Sequence, residues 1–235
     1  MRIKVVSLTL IVLLASSFHV KSQQKTEPQF KLVEFQMALY KRAPEGQQVA
    51  NVDNETLHKQ HVEYIASLLE SGKIIIAGPL VEQGDIRGVS IFHEKSIAEA
   101  KTLAESDPVV KAGHLIVEMH PWWSEEVMKK PSLPLKMTTA YLGFLVRGAK
   151  WTPEKTPQTE ELQKAHLANI NRLAEMKKLV VAGPFGDNGE LRGIFVFKVG
   201  SLEEAKSLAA TDPSVQAGRL AVNMYTWSVP EGILP

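Results

Sequence analysis

Apolar and polar positions alternate loosely through residues 34–40, Glu-Phe-Gln-Met-Ala-Leu-Tyr, and this alternation predicts a first strand. A polar loop with Pro44 and Gly46 follows. Leu57, His61, Ile65, Leu68 and Leu69 then fall on one stripe of a 3.6-residue period, which predicts an amphipathic helix over residues 55–71. The β-branched run Ile74-Ile75-Ile76-Ala77 reads as a second strand stopped by Gly78-Pro79. Gly84 marks a turn before a third strand at 88–93, so the two strands form a predicted hairpin. Ser96 is placed to cap a second helix ending near Ala104, with Glu99 three residues on to complete a capping box. After Asp107-Pro108 and Ala112-Gly113, a last strand is predicted at 115–119.

The same pattern then returns at a constant offset, with 166 − 61 = 105 for the helix histidines. Ala77-Gly78-Pro79 recurs as Ala182-Gly183-Pro184, Arg87-Gly88 as Arg192-Gly193, Asp107-Pro108 as Asp212-Pro213, and Trp122 as Trp227. Residues 140–146 repeat the first strand, and Leu162, His166, Ile170 and Leu173 repeat the helix stripe over 160–176. Leu179-Val180-Val181-Ala182, the strand at 193–198, the Ser201/Glu204 cap and the strand at 220–224 complete the copy. An offset this long is the size of a small domain, not of a solenoid repeat. The predicted class is therefore α+β: two tandem βαββαβ ferredoxin-like plaits, at 34–123 and 139–228, joined by a linker at 124–138 that contains Pro131 and Pro134. A plait covers one sheet face with helices and leaves the other bare. A bare apolar face of that size does not suit a soluble monomer, so the copies are expected to pack sheet to sheet as an intramolecular pseudo-dimer.

Arg2 and Lys4 precede an apolar stretch at 5–15, and Val20-Lys21-Ser22 offers a cleavage site before Gln23. This is the pattern of a secretory signal, with a stretch too short for a typical membrane span. Removal of residues 1–22 takes away Arg2, Lys4 and Lys21, and the formal charge of +1 becomes +1 − 3 = −2. The mature chain is expected to be exported, periplasmic or secreted, and free of the membrane. No lysine or arginine run tracks a nucleic-acid backbone. The absence of cysteine excludes disulfides, thiolate metal sites and a cysteine nucleophile.

A histidine inside an aliphatic helix stripe needs a polar partner, and here it occurs at the same place in both copies. In each copy an aspartate lies just beyond the second helix. Both helices of a plait pack on one sheet face, which lets His61 meet Asp107 and His166 meet Asp212. A carboxylate on one ring nitrogen fixes the tautomer and leaves the other nitrogen as a general base. The same aspartates, each before a proline, also read as simple caps of a one-turn helix. Arg87 and Arg192 open the third strand of each copy and are candidates to hold an anionic substrate, or else are solvated hairpin residues. Arg42 and Arg147 are paired with the same two readings. His58 lies three residues before His61, but Gln163 replaces it in the second copy and nothing completes a ligand set, so no metal or other cofactor is called for. Trp122 and Trp227 suit packing or contact between the copies.

Taken together, these residues resemble the YCII-related domain: a helix-one histidine, Ala-Gly-Pro, a hairpin, Ser-x-x-Glu-Ala-x-x-Leu, Asp-Pro-x-Val-x-Ala-Gly, and a strand ending in tryptophan. The resemblance covers residues 34–123 and 139–228. It implies plaits that pair through their sheets as a dimeric α+β barrel, with the helix histidine and the Asp-Pro aspartate as the family's proposed active site. Those positions are His61, Asp107, His166 and Asp212 here. Related barrels include lyases and isomerases of small aromatic or lactone molecules. Tandem fusion and the export signal set this chain apart from typical members. Two function classes follow: a cofactor-free lyase or isomerase acting on a small anionic or aromatic molecule, or a non-catalytic binding or structural module.

Overall fold

The computed structural model describes residues 30–44, 53–82, 84–131 and 134–235. The expected signal at 1–22 and Gly46 lie outside the described residues. The first copy runs β1 (Leu32–Arg42), α1 (Asn54–Glu70), β2 (Ile74–Pro79), β3 (Ile86–Phe92), α2 (Ile97–Glu105), α3 (Pro108–Lys111) and β4 (Leu115–Glu125). The second runs β5 (Met137–Arg147), α4 (Pro157–Glu175), β6 (Leu179–Pro184), β7 (Leu191–Phe197), α5 (Leu202–Ala209), α6 (Pro213–Gln216) and β8 (Leu220–Pro230). The sheets have the orders β2-β3-β1-β4 and β6-β7-β5-β8 with antiparallel pairing throughout, which is the plait topology predicted above. Among the described residues no helix is long and apolar enough to cross a membrane.

Two local expectations are corrected. The last strand of each copy is 11 residues long and extends well past residue 119 or 224, because it pairs along the whole of β1 or β5. The capping box at Ser96 and Ser201 is only half formed. Each serine accepts from the N–H of Glu99 or Glu204, at 3.2 and 3.1 Å, but Glu204 reaches back to the N–H of Gly200 instead of to the cap itself. A reciprocal box occurs instead at the start of α4, between Thr156 and Thr159.

The sheets face each other and close at both edges. Val81 N–H donates to Thr226 O at 2.9 Å, and Gly186 N–H donates to Pro121 O at 2.8 Å. These bonds and the bridges Leu80↔Trp227 and Trp122↔Phe185 join β2 to β8 and β4 to β6, so the eight strands form a continuous barrel. Side chains alternate across each strand. Phe35, Met37 and Leu39 of β1 turn inward to meet Ala140, Leu142 and Phe144 of β5 in one shared core. Ala38 and Tyr40 turn outward against the helices. The bare faces are thus buried on each other within one chain.

Trp122 and Trp227 are fully buried at the two seams, and each indole N–H donates 3.1 Å to a carbonyl of the opposite copy, Gly183 and Gly78 respectively. Gly78-Pro79 and Gly183-Pro184 end β2 and β6, as their sequence suggests, but from inside the strand. They are strand residues over which the neighbouring sheet closes. A Cβ on Gly78 would stand 1.7 Å from Ser228 O, and one on Gly183 would stand 1.8 Å from Trp123 O.

Candidate active site

His61 sits in the middle of α1, and the 3.6-residue stripe carries it toward the sheet and toward the short helix α3. Its Nδ1 lies 3.0 and 2.8 Å from the two carboxylate oxygens of Asp107. In the second copy His166 Nδ1 lies 2.7 Å from Asp212 Oδ2. Both aspartates are completely buried. Each also caps its one-turn helix: Asp107 accepts from Val109 N–H and Asp212 from Ser214 N–H, both at 2.9 Å. Pro at the first helical position sets that turn. The capping and the histidine-pairing readings are thus both realised, by different lone pairs of one carboxylate.

The copies differ in what surrounds the pair. His61 keeps 30% of its side chain exposed, against 11% for His166. His166 is stacked on Phe195 of β7, with centroids 6.0 Å apart and ring planes 23° from parallel. Beside it Asn169 Oδ1 accepts from Arg172 at 2.7 Å and from Thr211 at 3.2 Å, and Arg172 also donates to Thr211 at 2.9 Å. The corresponding positions of the first copy are Ser90, Tyr64, Ser67 and Ser106, and Tyr40 stands where the second copy has Leu145. Tyr64 donates to Leu103 O at 2.8 Å. The Tyr40 hydroxyl is buried without a hydrogen bond of ordinary geometry. Burial raises its pKa, Ser90 offsets this in part, and the field of Asp107 raises it further, so the phenol stays protonated. The first dyad is thus the more exposed of the two, and the second has an aromatic ring stacked on its imidazole.

The arginines occupy a different place. Arg87 and Arg192 are half-buried at the start of β3 and β7. The contacts of Arg192 are Gly189 O at 3.4 Å and the ring of Trp151, neither of them part of a dyad. Among the described residues no group of three or more His, Asp or Glu side chains could hold a metal ion. A cavity of about 200 Å³ lies between β1, β2 and the segment after β4, lined by Phe35, Leu69, Ile74, His93, Glu126 and Lys130, and neither dyad borders it.

A further cluster has no signal in the repeat, because its members differ between the copies. His120 of β4 is buried at the seam, with Nδ1 2.5 Å from Asp187 of the β6–β7 turn and Nε2 3.0 Å from Glu118, which is itself bonded to Lys41. At the corresponding positions of the other seam stand Tyr225 and Glu82. Burial pushes the Asp187 carboxyl up, but the His120 imidazole and the Gly189 N–H outweigh it and hold the group below its ordinary range. A depressed carboxylate stabilises the fold fully above its unfolded value of about 3.9, and that stability is lost as pH falls through the lower folded value. Replacing Asp187 by Asn is therefore expected to lower the urea midpoint at neutral pH. It is also expected to flatten its decline below about pH 4, so that the mutant and wild-type curves converge in acid. Parallel curves would show that the ion pair contributes nothing to the seam.

Comparison with known proteins agrees with this architecture. The YCII-related domain matches twice, at residues 35–123 and 144–228. The uncharacterized protein YjpA of Bacillus subtilis strain 168 is 32% identical over 78 residues, which cover 32% of this chain and 89% of YjpA, about the length of one copy. Among solved structures, a mutant chlorite dismutase from Candidatus Nitrospira defluvii in complex with cyanide superposes with a TM-score of 0.55 at 12% identity, covering 86% of this chain and 92% of the other. The chlorite dismutase of the same organism in complex with imidazole gives 0.53 at 13% identity, covering 83% and 90%. At such identities the likeness is one of fold: two plaits closed into a dimeric α+β barrel. With both copies matched and their histidines and aspartates in the same places, the chain belongs to the YCII-related domain family, as a tandem member.

Proposed function

We propose that the chain is an exported protein whose first copy carries a cofactor-free site of lyase or isomerase type for a small anionic or aromatic molecule. On this reading residues 1–22 are a removable signal, and the mature protein is two domains, 34–123 and 139–228, joined by 124–138. One observation carries the proposal: Nδ1 of His61 is held by a fully buried aspartate while part of the ring stays open to solvent. Asp107 accepts a hydrogen bond from Nδ1–H, which leaves the Nε2 lone pair as the base. That nitrogen takes a proton from substrate carbon and returns it at another position, or passes it to a neighbouring group as that group departs with the electrons of its bond to carbon. The Asp107 carboxylate steadies the imidazolium formed in between.

The second copy favours the other function class. His166 is nearly sealed and stacked, and its dyad serves as a buried tie between α4 and α6. The test follows deuterium uptake at carbon acids by NMR, with a panel of lactones and 2-oxo acids incubated with the whole protein. Exchange is expected with wild type and with His166→Gln, and is expected to fall by about a hundredfold with His61→Gln. No exchange across the panel, or equal exchange in all three proteins, makes both dyads structural.

A further inference from the structure

The end of the second copy's sheet gathers positive charge in a way that neither dyad explains. Val146 pairs with Leu191 and Arg147 pairs with Leu220, so adjacent strands bring Arg192, Arg147 and Arg219 to one edge of the barrel. All three guanidiniums lie over one indole, Trp151, at 4.4 Å for Arg219, 4.7 Å for Arg192 and 5.5 Å for Arg147. The ring is held by its backbone. Gly148 N–H donates to Arg219 O, Lys150 N–H to Gly218 O and Trp151 N–H to Gly148 O, each at 2.9 Å.

One cation over an aromatic face is stabilising, but three within this distance repel one another. Burial, followed by the charges of Arg147 and Arg219, pulls the pKa of Arg192 below its ordinary value. Among the described residues no carboxylate pairs with any of the three. Asp187 is the acid whose field reaches Arg192, and its oxygens are committed to His120 and to Gly189 N–H. The partners that the arginines do have are neutral: Asn188 O at 2.7 Å for Arg147, Gly189 O at 3.4 Å for Arg192, and Thr152 Oγ1 at 3.2 Å for Arg219. Each guanidinium carries five N–H donors in a fixed fork, so most remain to be used. At the corresponding positions the first copy has Arg42, Arg87 and His114, with Gly46 in place of the tryptophan. The cluster is thus specific to the second copy and is not part of what the fold requires.

We propose that Arg147, Arg192 and Arg219, arranged around Trp151, form a binding site for a small oxyanion carrying two or more negative charges. Such a ligand removes the mutual repulsion and takes the free donors in bidentate pairs, as carboxylate and phosphate groups do. Dicarboxylates, tricarboxylates and phosphate monoesters share this chemistry. Two arms of the test separate them: citrate and inorganic phosphate, each titrated calorimetrically into the full protein at constant ionic strength.

Saturable binding is expected in at least one arm. Arg192→Gln and Arg219→Gln are expected to weaken it by roughly tenfold each, while Lys206→Gln on α5 leaves it unchanged. Trp151→Phe keeps the ring, so binding is retained. His61→Gln and His166→Gln are also expected to bind as wild type does, so the site stands or falls separately from the dyad chemistry. Far-UV circular dichroism and the urea midpoint check that each variant is folded. Absence of saturable heat in both arms, or equal affinity in wild type and in a folded Arg147/Arg192/Arg219→Gln triple variant, overturns the proposal.

Discussion

Replacement of Gly78 or Gly183 by alanine is expected to cost about 3 kcal/mol or more of stability, the upper part of the range for overpacked sites. The obstacle at each is a backbone carbonyl of the opposite copy, Ser228 O at 1.7 Å or Trp123 O at 1.8 Å from the added methyl. A flexible side chain could move aside, but these carbonyls belong to the barrel's closing strands. The same shift disturbs the tryptophan bond to that glycine's own oxygen, at 3.1 Å in both seams. Gly84→Ala on the β2–β3 hairpin provides the control, since its nearest neighbour would be a ring carbon of Tyr225 at 3.9 Å. Urea unfolding should show the two seam variants strongly destabilised and the control within about 0.5 kcal/mol of wild type. Seam variants as stable as the control would mean that the sheets are not closed on each other in solution.

That seam marks where the sequence stops being legible. The plaits were readable because period-2 and period-3.6 patterns are local, and the constant offset allowed each copy to check the other. Gly-Pro is also a local signal and marks the strand end, but it says nothing of the sheet that closes over it. What demands the glycine is the approach of a chain segment some 150 residues away (228 − 78 = 150), which no window around Gly78 contains. Likewise Trp122 and Trp227 suit contact between the copies by sequence, yet only closure shows that each indole bonds to the other copy. The His120–Asp187 pair was invisible because the repeat favours what both copies keep, and these positions hold Tyr225 and Glu82 in the other copy. The same bias hid Trp151 among the paired arginines.

The dyads were legible as pairs and illegible as unequals. His and Asp recur identically, but Phe195 is stacked on His166 where the first copy has Ser90, and the two histidines differ in exposure. Phe195 comes from a strand and does not read as part of the site until the packing sets it on the imidazole. A duplicated site under one shared demand has no reason to close one member with an aromatic ring. On the proposed function this is a division of labour, with the more exposed histidine as the base and the other lending rigidity.

Substitution of the two aspartates should separate those roles. Asp212→Ala removes the cap of α6 and strands a buried imidazole that water cannot readily reach, a combined loss of about 2–4 kcal/mol. Asp107→Ala removes the same cap, but His61 is partly exposed and can turn to water, so the loss should be about 1–2 kcal/mol. Deuterium exchange should show the reverse order. Asp107→Ala is expected to slow the reaction by about a hundredfold, because the Nδ1 proton loses the acceptor that fixes the tautomer. Asp212→Ala, where folded, should leave the rate unchanged. Asp107→Asn decouples the two effects, since the amide oxygen can still cap Val109 N–H while the charge that steadies an imidazolium is gone. Its stability should stay within about 1 kcal/mol of wild type while its rate falls. Equal losses of stability from the two alanine variants, with no difference in rate, would mean that both aspartates are caps with a histidine attached, and that the first copy has no more chemistry than the second.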